Sequence, residues 1–414
     1  MRRLQGRVRP YAWGAHDAIP GLFGYPPAPE PVAEVWLGAH PDDPAVVGCD
    51  EHAPLFDLNQ VYQGEYPVRP SAAEQSLADY IAADPCATLG PSVAEVSEGL
   101  PYLLKLIAPA EPLSLQVHPS REQARAGFAT EEKAGIPRQA PQRNYKDTNH
   151  KPELTYALTR FDALSGFRAP RRIGTVIRGL ETPLSNRLLQ IIHDAGVRAA
   201  FTFLLSPDTA PTAEEVTAVA AACARRAPEE SPSPRADAIV TRLAQKYPGD
   251  PGVVASLLLN PVTLRPGEAL FIPNGTVHAY LSGLAVEIMA TSDNVLRAGL
   301  THKHVDAAEL LRVVDAIAAP PIRIAPERVS RIMSTFYAPV EDFQLSAIHL
   351  WDANAREPIR SEGPRTVICL EGAAQLEAGG QRADVNAGQA MFIPADDGQL
   401  TMRGFGNLVL ASVP

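Results

Sequence analysis

The segment Leu113-Ser114-Leu115-Gln116-Val117-His118-Pro119 alternates apolar and polar side chains, shortly after the apolar run Tyr102 to Ile107. Strand side chains alternate faces, so Ser114, Gln116 and His118 share one side while Leu115 and Val117 take the other. Such a strand either faces water, as is ordinary in antiparallel sheets, or lines a polar cavity. Upstream, Tyr11-Ala12-Trp13-Gly14 and the stretch Ala33 to Pro41 read as strand and turn; Trp36 and His40 either line a site or are simply buried together. Leu77, Tyr80 and Ile81 recur at helical spacing between Ser76 and Ala83, and a short helix is predicted from Arg121 to Thr130. A turn-rich run from Asn144 to Pro152 leads into a strand, Glu153 to Leu158, on which Glu153 and Thr155 share a face.

From about Pro170 the period changes. Helices are predicted over Arg171 to Leu180, Pro183 to Phe203, Ala213 to Arg226 and Ala236 to Tyr247, separated by breaks such as Pro228 to Pro234. The economical reading is an inserted helical domain without clustered chemistry, in which His193 is structural. Strand signals return at Val262, and with them an internal repeat. Residues Arg265 to Pro273 and Asn386 to Pro394 each carry a Gly turn, an apolar strand and a Pro stop at the same spacing. Five residues after Pro273 stands His278; five after Pro394 stands Gln399. Two β-barrel modules of similar build are expected, with any site of the second one lost.

Composition narrows the partners. The formal net charge of -10 argues against a general binder of nucleic acid or anionic membranes, but a local basic pocket could still take a phosphorylated substrate. Cys49, Cys86, Cys223 and Cys369 include no C-x-x-C pair, which favours free thiols in a reducing compartment. The N-terminal residues lack an apolar leader core and no run of 18 apolar residues occurs, so a soluble, cytoplasmic protein is expected. A monomer is expected, with oligomerisation left open.

The first repeat extends as Gly267, Pro273, Gly275 and His278, and this spacing resembles the second signature of the cupin barrel, in which that histidine binds metal. The plainer alternative is a hairpin whose histidine points inward. Gln116, His118, Glu153 and His278 together offer two imidazoles, a carboxylate and an amide oxygen, a set suited to one Zn²⁺ per chain with room for water or substrate. Zinc has no redox chemistry, so Lewis-acid or proton-transfer work is favoured over oxidation.

The run Tyr145-Lys146-Asp147-x-Asn149-His150-Lys151-Pro152-Glu153 resembles the signature of the type I mannose-6-phosphate isomerases. Gln116 to Pro119, Asp293 to Thr301, Tyr11 to Gly14 and Glu34 to Pro41 resemble further motifs of that family, in family order. The resemblance implies a zinc enzyme interconverting mannose 6-phosphate and fructose 6-phosphate, with Gln116, His118, Glu153 and His278 as metal ligands. It also implies that Ser114, Lys105 and Lys303 meet the phosphate and that Arg297 sits over the reacting carbons. His302 stands where the family commonly has Pro, which alters the loop before Lys303.

Aldose–ketose conversion moves a proton between C1 and C2 through an enediol or enediolate, whose charge Arg297 would stabilise. Glu287 and Lys151 are the candidate bases, with Asp293 orienting Arg297 or forming a structural ion pair with it. The fold expected is mainly β and bicupin-like, two jelly-roll β-barrel modules plus a helical domain. Residues 1–168 and 256–318 would form the catalytic module, 169–255 the insertion and 319–414 a C-terminal module lacking metal ligands. Two competing readings are a metal-dependent cupin oxygenase using the same ligands and a non-catalytic sugar-phosphate-binding cupin.

Overall fold

Antiparallel pairing builds three sheets among the residues described by the computed structural model, which are 1–63, 74–359 and 362–414. A five-stranded sheet runs in the order Leu259–Leu264, Phe161–Phe167, His278–Ser282, Leu115–Val117 and Leu296–Gly299. A seven-stranded sheet runs Ile322–Ile324, Ala269–Ile272, Glu153–Ala157, Ala285–Ala290, Tyr102–Ile107, Glu34–Leu37 and Arg7–Arg9. The third, of ten strands, is built chiefly from the long C-terminal strands Gln344–Ile359, Arg365–Ala378 and Leu400–Ser412. Arg2–Gln5 joins it by pairing with Gln389–Ile393, so the two ends of the chain meet in one sheet.

The period-two pattern stacks these sheets in layers. Leu115 and Val117 turn outward into a core shared with the helices, while Gln116 faces the other way. Ile107, Ala157, Phe161, Ala163, Leu270 and Ala285 fill the space between the five- and seven-stranded sheets. On the seven-stranded sheet Leu154 points away from Glu153 and packs, with Leu104, Leu106 and Ile288, against Leu345, Ile368, Phe392 and Val409 of the third sheet. The cleft between the first two sheets is therefore the only place where Gln116 and Glu153 can share a neighbourhood.

The helical region covers Pro170–Ile177, Pro183–Leu205, Ala213–Arg225, Pro234–Lys246 and Pro251–Ala255, each opening on a proline or a capped threonine. Thr182 with Ser185 and Thr212 with Glu215 form reciprocal capping boxes. Pro183–Leu205 has the length and mean hydropathy of a membrane-crossing helix, which counting consecutive apolar residues did not reveal. It breaks at Gly196, and Leu184, Leu188, Ile192, Val197, Phe201 and Leu204 are buried in the helical core. The helix after Pro119 is longer than its periodicity predicts, Arg121–Lys133, started by a Ser120–Gln123 capping box. Pro251–Ala255 has no counterpart in the sequence reading; five residues are too few for a period to register.

Candidate metal centre

His278 opens a central strand of the five-stranded sheet and lies opposite Gln116 in the register, while His118 follows the Gln116 strand by one residue. Glu153 reaches the same point from the facing sheet. All three of His118, Glu153 and His278 are at most 2% exposed. Each imidazole is fixed by its far nitrogen: His118 Nδ1 donates to the Asn294 carbonyl at 2.8 Å and His278 Nδ1 to the Thr276 carbonyl at 3.0 Å. That tautomer leaves a lone pair on each Nε2. These nitrogens stand 3.1 and 3.2 Å from Glu153 Oε1 and Oε2, and neither makes a hydrogen bond.

Two lone pairs converging on a buried carboxylate repel one another unless a cation lies between them. A proton is a poor filler, because burial, and then the charge of Lys151, holds the His118 pKa down to about 4. The donor set fits a metal of zinc's preferences, with Nδ1–H groups held by carbonyls as metal-binding imidazoles usually are. A second cluster, His40 with Asp42 and Asp293, does not share this property. There Asp42 N–H donates to His40 Nδ1, leaving the Nε2 hydrogen to face Asp293 Oδ1 at 3.4 Å, and Asp42 is paired with Arg138 at 2.7 Å. This corrects one expectation: Asp293 is engaged with His40, not with Arg297, since the turn after Ala290 brings its Oδ1 to His40 Nε2.

Gln116 and Glu153 line a cavity of about 300 Å³. Beside it, Lys105 lies 3.1 Å from Glu287 and 3.7 Å from Glu34, and Tyr280 donates to Glu287 at 2.8 Å. Burial raises the Glu287 pKa above the usual carboxylate range, against the pull of Lys105. The Lys105 pKa is raised although burial alone would lower it, because Glu34 and Glu287 flank it. Lys105 thus belongs to a carboxylate cluster. Lys151 lies 3.2 Å from Glu153 Oε1, whereas its neighbour His150 turns away to Asp342 at 2.7 Å.

The far wall is cationic. Lys146, Arg297 and Lys303 line it with Ser114, Thr301 and Tyr247. The Lys303 pKa is lowered, first by burial and then by Arg297 and Lys146. Arg297, part of this lining, pairs with Gln116 in the sheet register and so lies on the strand next to that side chain. Glu34, Tyr280 and Lys146 line the site although they have no role in the sequence reading, Glu34 and Lys146 standing only within the family motifs. Tyr280 was within reach of it, lying two residues beyond His278 and hence on the same strand face. His302 and His304 are exposed and do not join a metal cluster among the described residues.

Residues 1–170 match the family model for phosphomannose isomerase type I, catalytic domain, and residues 332–413 that for mannose-6-phosphate isomerase, cupin domain. Mannose-6-phosphate isomerase of Escherichia coli (strain K12) is 36% identical, over 99% of this chain and 98% of its own length. Mannose-6-phosphate isomerase 1 of Arabidopsis thaliana is 29% identical, over 99% and 93%. A crystal structure of a zinc-bound holo mannose 6-phosphate isomerase superposes with a TM-score of 0.85 at 34% identity, covering 100% of this chain and 99% of that one. A mutant of phosphomannose isomerase from Salmonella typhimurium gives 0.86, with the same identity and coverage. With the buried His–Glu–His centre, both family domains and end-to-end similarity to these enzymes, the chain belongs to the type I phosphomannose isomerases.

Proposed function

We propose that this cavity isomerises D-mannose 6-phosphate and D-fructose 6-phosphate, with zinc held by His118, Glu153, His278 and Gln116. The observation that carries the reading is the pair of buried Nε2 atoms, without hydrogen-bond partners, aimed at one carboxylate. When bound, zinc supplies Lewis-acid polarisation of the sugar oxygens without redox chemistry. The cationic wall takes the phosphate on Lys303, Lys146 and Ser114, with Lys acting as a point charge. Lys105, between Glu34 and Glu287, serves the carboxylates in this scheme instead of the phosphate.

Glu287 is the base we assign. Its raised pKa brings it nearer to neutral pH, where a general base is most effective, and Lys105 and Tyr280 fix its carboxylate. From the open-chain aldose it takes the C2 proton, the C–H electrons forming the C1–C2 double bond of an enediolate. Returning that proton to C1 while the O2 proton passes to the anionic O1 gives the ketose, with a neutral hydroxyl on C1 and the carbonyl on C2. Arg297, always protonated and set beside Gln116, stabilises the negative charge on the enediolate oxygens. Lys151 is left to hold Glu153 in place through their ion pair.

We read the chain as a bicupin: a catalytic jelly roll from 1–168 and 256–318, interrupted by the helical insertion 169–255, and a C-terminal jelly roll from 319–414, with Arg2–Gln5 crossing to the second and Ile322–Ile324 to the first. The test is Glu153→Ala in the full chain. Metal analysis and a coupled isomerase assay should show zinc and turnover lost together, as should dialysis of the unaltered protein against a chelator. Retention of a full zinc equivalent with turnover in the variant would overturn the assignment.

A further inference from the structure

The stretch 247–252, where the helical region returns to the sheets, touches both segments that bring side chains to the cationic wall. Tyr247 lines the cavity, and its hydroxyl donates to the Pro112 carbonyl at 3.1 Å, two residues before Ser114. Asp250 works on the other segment. Its Oδ1 accepts the Gly252 N–H at 2.7 Å, capping Pro251–Ala255, and its Oδ2 accepts the Thr301 N–H at 3.4 Å.

The backbone that Asp250 meets is unusual. Between Arg297 and Lys303, Gly299 has φ +119° and Leu300, a fully buried non-glycine residue, has φ +54°. The pairing with Leu115–Val117 slips at the same point. Gly299 backs so closely onto the insertion that an added Cβ would lie 2.8 Å from Asp250 Oδ1 and 3.1 Å from the Gly252 Cα. A side chain larger than hydrogen at 299 would push the turn off Asp250. Left-handed backbone at a branched residue persists only where its surroundings hold it.

We propose that Asp250 is a positioning residue for the substrate phosphate, clamping the strained turn 299–301 so that Thr301 and Lys303 face the cavity. It touches no substrate. Its effect passes through the Thr301 amide and the packing of Gly299, and gives the helical insertion a part in substrate binding. The proposal rests on the phosphate assignment of the cationic wall made above.

The test uses the zinc-loaded full chain with Asp250→Asn and Asp250→Ser, both of which still cap a helix while losing the second acceptor oxygen. KM for mannose 6-phosphate and the inhibition constant of inorganic phosphate should rise together by roughly tenfold, with kcat within about twofold. Zinc content and thermal midpoint should stay near those of the parent. Gly299→Ala, which disturbs the same contact from the other side, should reproduce the KM effect. An unchanged phosphate inhibition constant in both Asp250 variants would overturn the proposal and reduce Asp250 to a helix cap. A fall in kcat at unchanged KM would overturn it as well. If inorganic phosphate does not compete with substrate in the parent enzyme, the phosphate assignment itself fails and the proposal falls with it.

Discussion

The two copies of the Gly–strand–Pro unit begin alike and end differently. Gly267 and Gly388 both turn with positive φ, 88° and 79°, and the strands Ala269–Ile272 and Gln389–Ile393 that follow are wholly buried. After Pro273 the chain turns through Gly275 straight into the strand that starts with His278, which is inaccessible to solvent. After Pro394 it makes a single 3₁₀ turn, Ala395–Asp397, and Gln399 ends up exposed. The contrast continues inside. The first copy brings His278 to His118 and Glu153 from other strands, with both imidazole Nε2 atoms lacking hydrogen-bond partners beside the carboxylate. In the second, the buried Arg365 guanidinium donates to the Pro394 and Gly398 carbonyls and stitches the turn closed. Among the described residues from 344 to 414, no histidine or glutamate is buried. One backbone motif thus stands beside imidazole nitrogens without partners in the first copy, and beside an arginine that closes its turn in the second.

That comparison can be broken in three ways. The largest effect is expected from Glu287→Gln, which keeps shape and removes the proposed base: kcat should fall by ~10²–10⁴-fold, the range for loss of a general base, with zinc content unchanged. Slow exchange of the C2 hydrogen in deuterated water should be lost in parallel, and a variant that still exchanges at the parent rate would return the base to Lys151. Next, Arg365→Met should leave the Pro394 and Gly398 carbonyls without their donors and cost about 1–3 kcal/mol of stability in denaturant titration. Isomerase kinetics should stay within about twofold of the parent; a large drop in kcat would tie the second copy to the chemistry. The smallest effect belongs to Gln399→His, which restores the repeat's histidine at an exposed position with no buried carboxylate opposite. Zinc stoichiometry should remain one per chain, and two would mean that the second copy retains a usable site.

Much of the site was legible because its proposed ligands lie on strands or, for His118, one residue past a strand end, where a period of two aims side chains without knowledge of the partner strand. Gln116 and His118 could be put on one face, and Glu153 and Thr155 on another, from alternation alone, and the buried classes of Leu115, Val117 and Leu154 agree. Asp293 and Lys105 were harder. A carboxylate on a turn has no face until the turn is built, so nothing local distinguished His40 from Arg297 as the partner of Asp293. Lys105 sits in a strand whose neighbours, Glu34–Leu37 on one side and Ala285–Ala290 on the other, are about 70 and 180 residues away in the chain. Its two carboxylate partners are a product of that register.

The sequence by itself determined the residue chemistry: which side chains can bind a divalent ion, which segments are strands or helices, and which family wording they spell. Local periodicity and side-chain type carry that information within a few residues. Only the tertiary structure decided the pairings, setting Glu287 between Lys105 and Tyr280, turning Asp293 to His40, and bending Gly299 and Leu300 against Asp250. Those outcomes depend on strand register and on the docking of the helical insertion, contacts between residues far apart in the chain that no local pattern encodes.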